Sequence, residues 1–331
     1  VLLRWIDVFN GDADGLCALH QLRLVEPAEA ELVTGPKRDT VLLARVTAGH
    51  GDLVTVLDIS LDRNRDALVR LLDRGARVCW FDHHYAGDIS AHPLLEAHID
   101  SAPAVCTSMI VDRHLGGRHR AWAVVAAFGD GLPDSASALA SSIGLSEAQQ
   151  ATLRSLGEDL NYNAYGETER ELLAPPAELY RRLHRYADPF TFAEQEPVIA
   201  ELSKRRGADL AAAAAIAPYR AGVRGDVYVL PDAAWSRRVM GTFANHLARR
   251  EPERAHAVLA PAAGSGYGVS IRSPRSAPTG AVRLARAFPT GGGREAAAGI
   301  DRLPSSELEA FIAAFEQAFR VPRTRCIDRR K

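Results

Sequence analysis

Arg77-Val78-Cys79-Trp80-Phe81-Asp82-His83-His84, residues 77–84, is the stretch from which the rest of the chain can be read. A short run rich in Val and aromatics stops at an aspartate followed by two adjacent histidines. An apolar run bounded by charge reads as a buried strand. Past its end, two imidazoles stand beside a carboxylate. One imidazole can hold a metal ion while a carboxylate fixes ring orientation or tautomer. Two surface histidines side by side would look the same, so the stretch must be weighed with its neighbours.

Working outward, the pattern repeats. Leu53–Leu57 is a second apolar run, ending at Asp58, and a helix follows through Leu68, Leu71 and Leu72 at i, i+3, i+4 spacing. Trp5–Phe9 is another, breaking at Asn10-Gly11-Asp12-Ala13-Asp14-Gly15 before a helical pattern from about Leu16 to Val25. Strands alternating with helices imply an α/β fold with a mostly parallel sheet covered on both faces. Function in such sheets gathers at the carboxyl ends of the strands, where Asp12, Asp14, Asp58, Asp82 and His83 fall. Phe128-Gly129-Asp130-Gly131 adds a further aspartate after an alanine-rich helical stretch.

Each feature has an ordinary explanation. Asp12-Ala13-Asp14-Gly15 can be a turn, Asp58 a helix cap, and Gly129-Asp130-Gly131 a glycine helix stop. Together they say more, because carboxylates converging on one sheet edge repel one another unless a cation joins them. Oxygen ligands with one imidazole and no thiolate favour manganese or magnesium over structural zinc. Two ions sharing a carboxylate would activate a water and hold phosphate oxygens.

The remaining chain supplies a second domain. Residues 105–183 read as mainly helical, clearest at Cys106–Leu115, Trp122–Phe128 and Leu179–Leu183. The rhythm changes near Asp188-Pro189. We expect a first domain over 1–187, a helical linker over 188–215, a smaller α/β domain over 216–322 and a basic tail over 323–331. In the second domain the pattern predicts a strand at Asp226–Leu230, a helix at Ser236–Arg249 and a hairpin through His256–Leu259 and Tyr267–Arg272. Another strand is expected at Val282–Ala287, and a final helix at Ser306–Phe319 capped by Ser305 or Ser306. Gly291-Gly292-Gly293-Arg294 precedes small residues through Gly299. Glycines ahead of a helix let backbone N–H groups approach an anion. Arg294, and Arg272 upstream, add planar donors suited to phosphate.

Composition fits this reading. The chain of 331 residues is 47% hydrophobic, enough for two cores. No apolar run approaches the roughly 20 residues of a membrane span, so no membrane partner is expected. The cysteines Cys17, Cys79, Cys106 and Cys326 are scattered without a Cys-x-x-Cys pair, which argues for a reducing, cytoplasmic setting. A net charge of -1 hides an asymmetry: residues 201–331 hold 22 Lys+Arg against 12 Asp+Glu, and residues 1–200 hold 18 against 29. An acidic part would attract cations and a basic part phosphate.

The order of these motifs, ending with Gly291-Gly292-Gly293-Arg294-Glu295-Ala296-Ala297-Ala298-Gly299, resembles the DHH phosphoesterase superfamily with its DHH-associated C-terminal domain, over nearly the whole chain. The resemblance is to the RecJ-like, nanoRNase-like and exopolyphosphatase-related branch. It implies catalytic residues Asp12, Asp14, Asp58, Asp82, His83, His84 and Asp130. One metal site would use Asp14, Asp58, His83 and Asp130, with Asp58 bridging to a second that also uses Asp12. His84 would contact the scissile phosphate and Asp82 would support the histidines. Arg272, Gly291, Gly292, Gly293 and Arg294 would hold substrate across a cleft between the domains.

The implied cofactor is a pair of Mn2+ ions, with Mg2+ as the alternative. The implied activity is hydrolysis of phosphodiester or phosphomonoester bonds in short single-stranded oligonucleotides or nucleotides. Polyphosphate is the nearest rival substrate, and a non-catalytic nucleic-acid binder with a degraded metal site is the rival of another class. The sequence is compatible with a homodimer and does not fix the oligomeric state. Nothing signals long-duplex DNA, since no helix-turn-helix or finger motif occurs and aromatic residues are 7%. Tyr162, Tyr165 and Tyr267 are candidates to stack on a base, and Asn161-Tyr162-Asn163 to line the cleft. The chain departs from its relatives at Val8, where many carry a histidine ligand, and at Asn10, where RecJ-like chains carry aspartate. The second metal site is therefore expected to be poorly furnished, with the Asn10 carbonyl as a weak ligand and little occupancy before substrate arrives. Arg294 replaces a histidine common in relatives and cannot act as a proton donor at neutral pH.

Overall fold

The computed structural model describes residues 3–89, 91–262, 264 and 266–320. Cys326 and the basic tail lie outside them. The chain divides into two compact units, Val1–Arg206 and Gly207–Lys331.

The first unit is built on five parallel strands: β1 (Trp5–Asn10), β2 (Ala30–Gly35), β3 (Leu53–Leu57), β4 (Arg77–Asp82) and β5 (Leu95–Ile99), in the order β2-β1-β3-β4-β5. Helix α1 (Ala13–Val25) links β1 to β2, and α2 (Leu61–Asp73) links β3 to β4. The central strands are buried nearly throughout because both faces are covered. Ile6, Val8, Val54, Val56, Val78 and Trp80 pack on one face against Leu68, Leu71 and Leu72 of α2. The opposite face carries a buried ion pair, in which Arg23 Nε donates to Asp7 Oδ2 at 2.9 Å and Arg23 also donates to Thr55 Oγ1 at 3.0 Å. Chain order reverses beside β1, so the ends of β1, β2 and β3 flank the switch point where such sheets bind ligands.

Helices α3 (Thr107–His114), α4 (Arg120–Gly129), α5 (Pro133–Ser142), α6 (Glu147–Asn163), α7 (Pro176–Leu183) and α8 (Pro189–Gln195) complete this unit, and α9 (Pro197–Ala214) carries the division between units. Small residues let three helices close on the site. A Cβ on Gly129 would meet Ala13 Cβ at 2.5 Å, and one on Gly157 would meet Val125 O at 2.2 Å. Only glycine there lets α1, α4 and α6 approach and bring Asp130, just past α4, toward the strand ends.

The second unit holds β6 (Arg220–Ala221), β7 (Gly225–Val229), β8 (Ala255–Pro261), β9 (Tyr267–Arg272), β10 (Gly291–Gly293) and β11 (Ala297–Leu303), ordered β10-β11-β9-β8-β7-β6. Helix α10 (Ala234–Arg250) packs on it, with α11 (Ala281–Ala285) and α12 (Leu308–Ala318). Val227, Leu259, Val269, Ile271, Ile300, Phe311 and Phe315 share its core.

Three expectations are corrected, and two strands are added. Val282–Ala287 is not a strand: α11 begins after Gly280, whose φ is 101°, and five residues are too few for periodicity to separate strand from helix. The triple glycine does not precede a helix. Gly291–Gly293 is an edge strand antiparallel to β11, and a Cβ on Gly291 would meet Ala285 O at 1.7 Å. Neither Ser305 nor Ser306 caps the last helix by a side chain; Ser305–Glu307 forms a 3-10 turn before α12. Strands β2 and β5 were not anticipated, because both are only partly buried and mix polar with apolar residues.

Candidate metal centre

Asp12 is the N-cap of α1. Its Oδ1 accepts from Asp14 N at 3.0 Å and Gly15 N at 3.1 Å. Gly15 is required there, since a Cβ would meet Asn10 O at 2.1 Å. Asp14, in the first turn, is held by the neighbouring helix α3: its two oxygens accept from Thr107 N and Ser108 N, each at 2.7 Å. The start of α3 therefore fixes this carboxylate with charge-assisted bonds.

Asp58 follows β3 with φ 59°, the one non-glycine residue at positive φ among the described residues. That conformation costs about 1–3 kcal/mol and persists where surroundings enforce it. Here it turns a 2% exposed carboxylate back into the strand ends, where Oδ1 accepts from Thr107 Oγ1 at 3.1 Å.

Asp82 closes β4, fully buried. Its Oδ1 accepts from His84 Nδ1 at 2.7 Å, so His84 is oriented by the carboxylate two residues before it. His83 is oriented otherwise: Nδ1 donates to the Val105 carbonyl at 3.0 Å. That leaves Nε2 at 3.4 Å from Asp58 Oδ1 and 4.0 Å from Asp14 Oδ2. The outer-sphere bonds that metal-binding histidines need are thus in place.

Electrostatics record the crowding. Burial pushes the Asp58 carboxyl well above the usual carboxylate range, and the Asp12 and Asp14 charges push it the same way. Burial alone would lower His83, but its bond to Asp58 and the charges of Asp58, Asp14 and Asp130 raise it to about 10. Burial raises Asp130, partly offset by a cation.

That cation is Lys37, which the sequence reading missed. It lies two residues beyond β2, with Nζ on Asp12 Oδ2 and 3.6 Å from Asp130 Oδ1. Burial works to raise Asp12, but Lys37 outweighs it and holds the carboxyl at about 2. The sign of its role was present in Leu32-Val33-Thr34-Gly35-Pro36-Lys37, a short apolar run ending in turn residues.

The fit to a metal differs on the two sides. Asp14 Oδ2, Asp58 Oδ1 and His83 Nε2 present donors at spacings of 3.4 and 4.0 Å, which an ion with bonds of about 2.1 Å can span. Asp58, His83 and His84 also lie close enough together to share one ion. On the Asp12 side, Val8 is fully buried in the apolar cluster and offers nothing. Asn10 Oδ1 is buried without a hydrogen-bond partner.

In the second unit, Arg272 donates to Asn245 Oδ1 at 2.6 Å and Ser270 Oγ at 3.0 Å. Arg294 is exposed in the turn between β10 and β11. The register pairs Arg272 with Ala297 and Gly293 with Ala298, so Arg272, Gly293 and Arg294 share one end of that sheet. Tyr162 is buried in the core and unsuited to stacking on a base. Asn163 bonds the 173–174 backbone rather than lining a surface. Tyr165 offers its ring to Lys37 at 5.8 Å.

No protein-family model and no curated protein matches the chain. Solved structures do. A RecJ exonuclease bound to manganese aligns over 96% of this chain and 91% of its own, at 18% identity and TM-score 0.58. RecJ from Thermus thermophilus with Mn2+ aligns over 96% of this chain and 52% of its own, at 19% identity and TM-score 0.58. The pGpG-specific phosphodiesterase PggH from Vibrio cholerae aligns over 96% and 99%, at 13% identity and TM-score 0.54. The chain shares the fold of these proteins.

Proposed function

We propose that this chain is a DHH-superfamily phosphoesterase that uses a divalent ion, Mn2+ first and Mg2+ second, to hydrolyse phosphate esters of short oligonucleotides or small nucleotides. The observation that carries the reading is His83 Nε2. Its ring is anchored through Nδ1 to Val105, and its other nitrogen is turned toward the carboxylates of Asp58 and Asp14 at the sheet's switch point. The shared fold with RecJ and PggH, which act on nucleic acid and on pGpG by their names, supports the same class.

Asp14, Asp58 and His83, with Asp130, would hold the ion. Bound there, it would supply a Lewis acid that lowers the pKa of a water and polarises a phosphate oxygen. The chain's own residues do the rest. Thr107 and Ser108 lock Asp14, and Thr107 also steadies Asp58. His84 is exposed and directs Nε2 away from Asp82, placed to bond a phosphate oxygen or protonate a leaving group. Asp82 balances the charge on the ring as Nε2 donates. Arg272, Gly291, Gly292, Gly293 and Arg294 are assigned to phosphate binding within the second unit, where Arg272, Gly293 and Arg294 share one end of the sheet.

The test is a side-by-side assay of pApA, adenosine 3′,5′-bisphosphate, cyclic dinucleotides and polyphosphate with manganese. Release of mononucleotide or phosphate from the nucleotide substrates is expected. No turnover with any of them, across several metals, overturns the reading in favour of a binding-only protein. Turnover of polyphosphate alone makes it an exopolyphosphatase.

A further inference from the structure

The two sides of the centre are unequal in a specific way. Asp12 Oδ1 is used by the α1 backbone, and Oδ2 by the Lys37 ammonium. The same ammonium stands 3.6 Å from Asp130. It does not reach the site on a loose arm, because its backbone is tied on both flanks. Lys37 N donates to Ala164 O at 3.0 Å, and Gly11 N donates to Gly35 O at 3.2 Å. Tyr165 covers it with a ring face. The position that a second ion would need beside Asp12 is thus occupied by a fixed positive charge. Of the strand residues before Asp12, Val8 is apolar and wholly buried, and Asn10 offers a single neutral amide oxygen, buried without a hydrogen-bond partner.

We propose that Lys37 replaces the second metal ion: the centre binds one divalent cation, among Asp14, Asp58 and His83, and the Lys37 ammonium is the other cation, a binding partner for a substrate phosphate oxygen. An ammonium between two carboxylates delivers one unit of charge where an ion would deliver two. It carries three donors and no open coordination position. It can therefore hold a phosphate oxygen but cannot activate a water. The consequence is that the nucleophilic water belongs to the His83 side alone. This inference rests on the proposed metal centre for its context, but metal counting tests it apart from activity.

The experiment is titration of the full chain with Mn2+ by calorimetry, with electron paramagnetic resonance of the loaded protein. The wild type is expected to take up one ion per chain and to give the signal of isolated Mn2+. Lys37→Gln removes the charge and places an amide oxygen beside Asp12 and Asp130. In that variant a second ion is expected, with a spin-coupled pair signal. Two ions and a coupled signal in the wild type overturn the proposal, a measurement that needs no variant to fold. One ion in both proteins also overturns it, by showing that Lys37 is not what keeps the second ion out. Failure of the functional reading is distinguishable: an inert protein that still binds one ion sinks the phosphoesterase, whereas an active one that binds two sinks the role of Lys37.

Discussion

Asp82→Asn separates orientation from metal binding. Asp82 is fully buried and 2.7 Å from His84 Nδ1, and its Oδ1 is the acceptor that fixes that ring. Its other oxygen is buried with no hydrogen-bond partner, so the carboxylate is committed to His84 alone. Asparagine keeps the shape and removes the charge. A hydrogen bond to a charged group contributes about 1.5–3 kcal/mol, and each 1.36 kcal/mol is about tenfold in rate. The expected result is a fall in kcat of about 10- to 100-fold on whichever phosphoester the wild type cleaves. Mn2+ affinity should hardly move, because Asp82 makes no described bond to Asp14, Asp58 or His83. Steady-state kinetics and calorimetry together decide it. An unchanged kcat removes the Asp82–His84 pair from the chemistry, and a lost metal site would mean that Asp82 supports the ion instead.

Three further outcomes are expected. Asp58→Asn should remove more activity than Asp12→Asn, since Asp58 faces His83 directly while Asp12 is engaged by Lys37 and the α1 backbone; equal residual rates count against that division. His83 is raised from its ordinary 6.5 to about 10, so an entering ion must displace its proton. Mn2+ affinity should climb with pH and level off near that value, with proton release visible as a buffer-dependent enthalpy; the metal-free fold, conversely, draws stability from His83 below 6.5 and loses it as pH rises through about 10. Arg23→Met leaves the buried Asp7 carboxylate without its partner, and denaturant unfolding should show a loss of about 3–5 kcal/mol. A loss below about 1 kcal/mol would mean that water reaches Asp7.

The first unit was legible where strands were apolar, buried and followed by aspartate. Leu53–Leu57 and Arg77–Phe81 read directly from residue type, because strands covered on both faces are mostly apolar, with few polar positions such as Thr55 and Arg77. Asp12, Asp14, Asp58, His83 and His84 were legible for the same reason, since each follows such a strand. Lys37 was not, because β2 is only partly buried and its end carries no acidic marker. The clamp on Asp14 was hidden because it comes from backbone N–H groups of Thr107 and Ser108, which any residue except proline could supply. The structure departs from the glycine triplet's expected place only in that the triplet forms an edge strand and does not precede a helix. Glycines that admit a phosphate and glycines that admit a neighbouring strand have one signature, and Gly291 is crowded by Ala285 O.

The physical problem at this site is how a fold assembles several carboxylates before any ion arrives. Two unit charges 4 Å apart repel by about 4 kcal/mol at an effective dielectric of 20, a large share of a domain's stability. The chain answers with a separate compensator for each acid. Asp14 has the first N–H groups of α3, Asp12 has the first turn of α1 and Lys37, Asp58 has Thr107 and the proton on His83, and Asp82 has His84. These compensators are not equally exchangeable. Backbone N–H groups cannot leave, and Lys37 is tied through its own backbone to Ala164. The His83 proton can leave into solvent without any movement of the chain. An ion that enters therefore has one place where it meets no resident positive charge except a proton, and that place lies among Asp58, Asp14 and His83. Charge compensation among these residues thus favours the His83 side for the proposed ion.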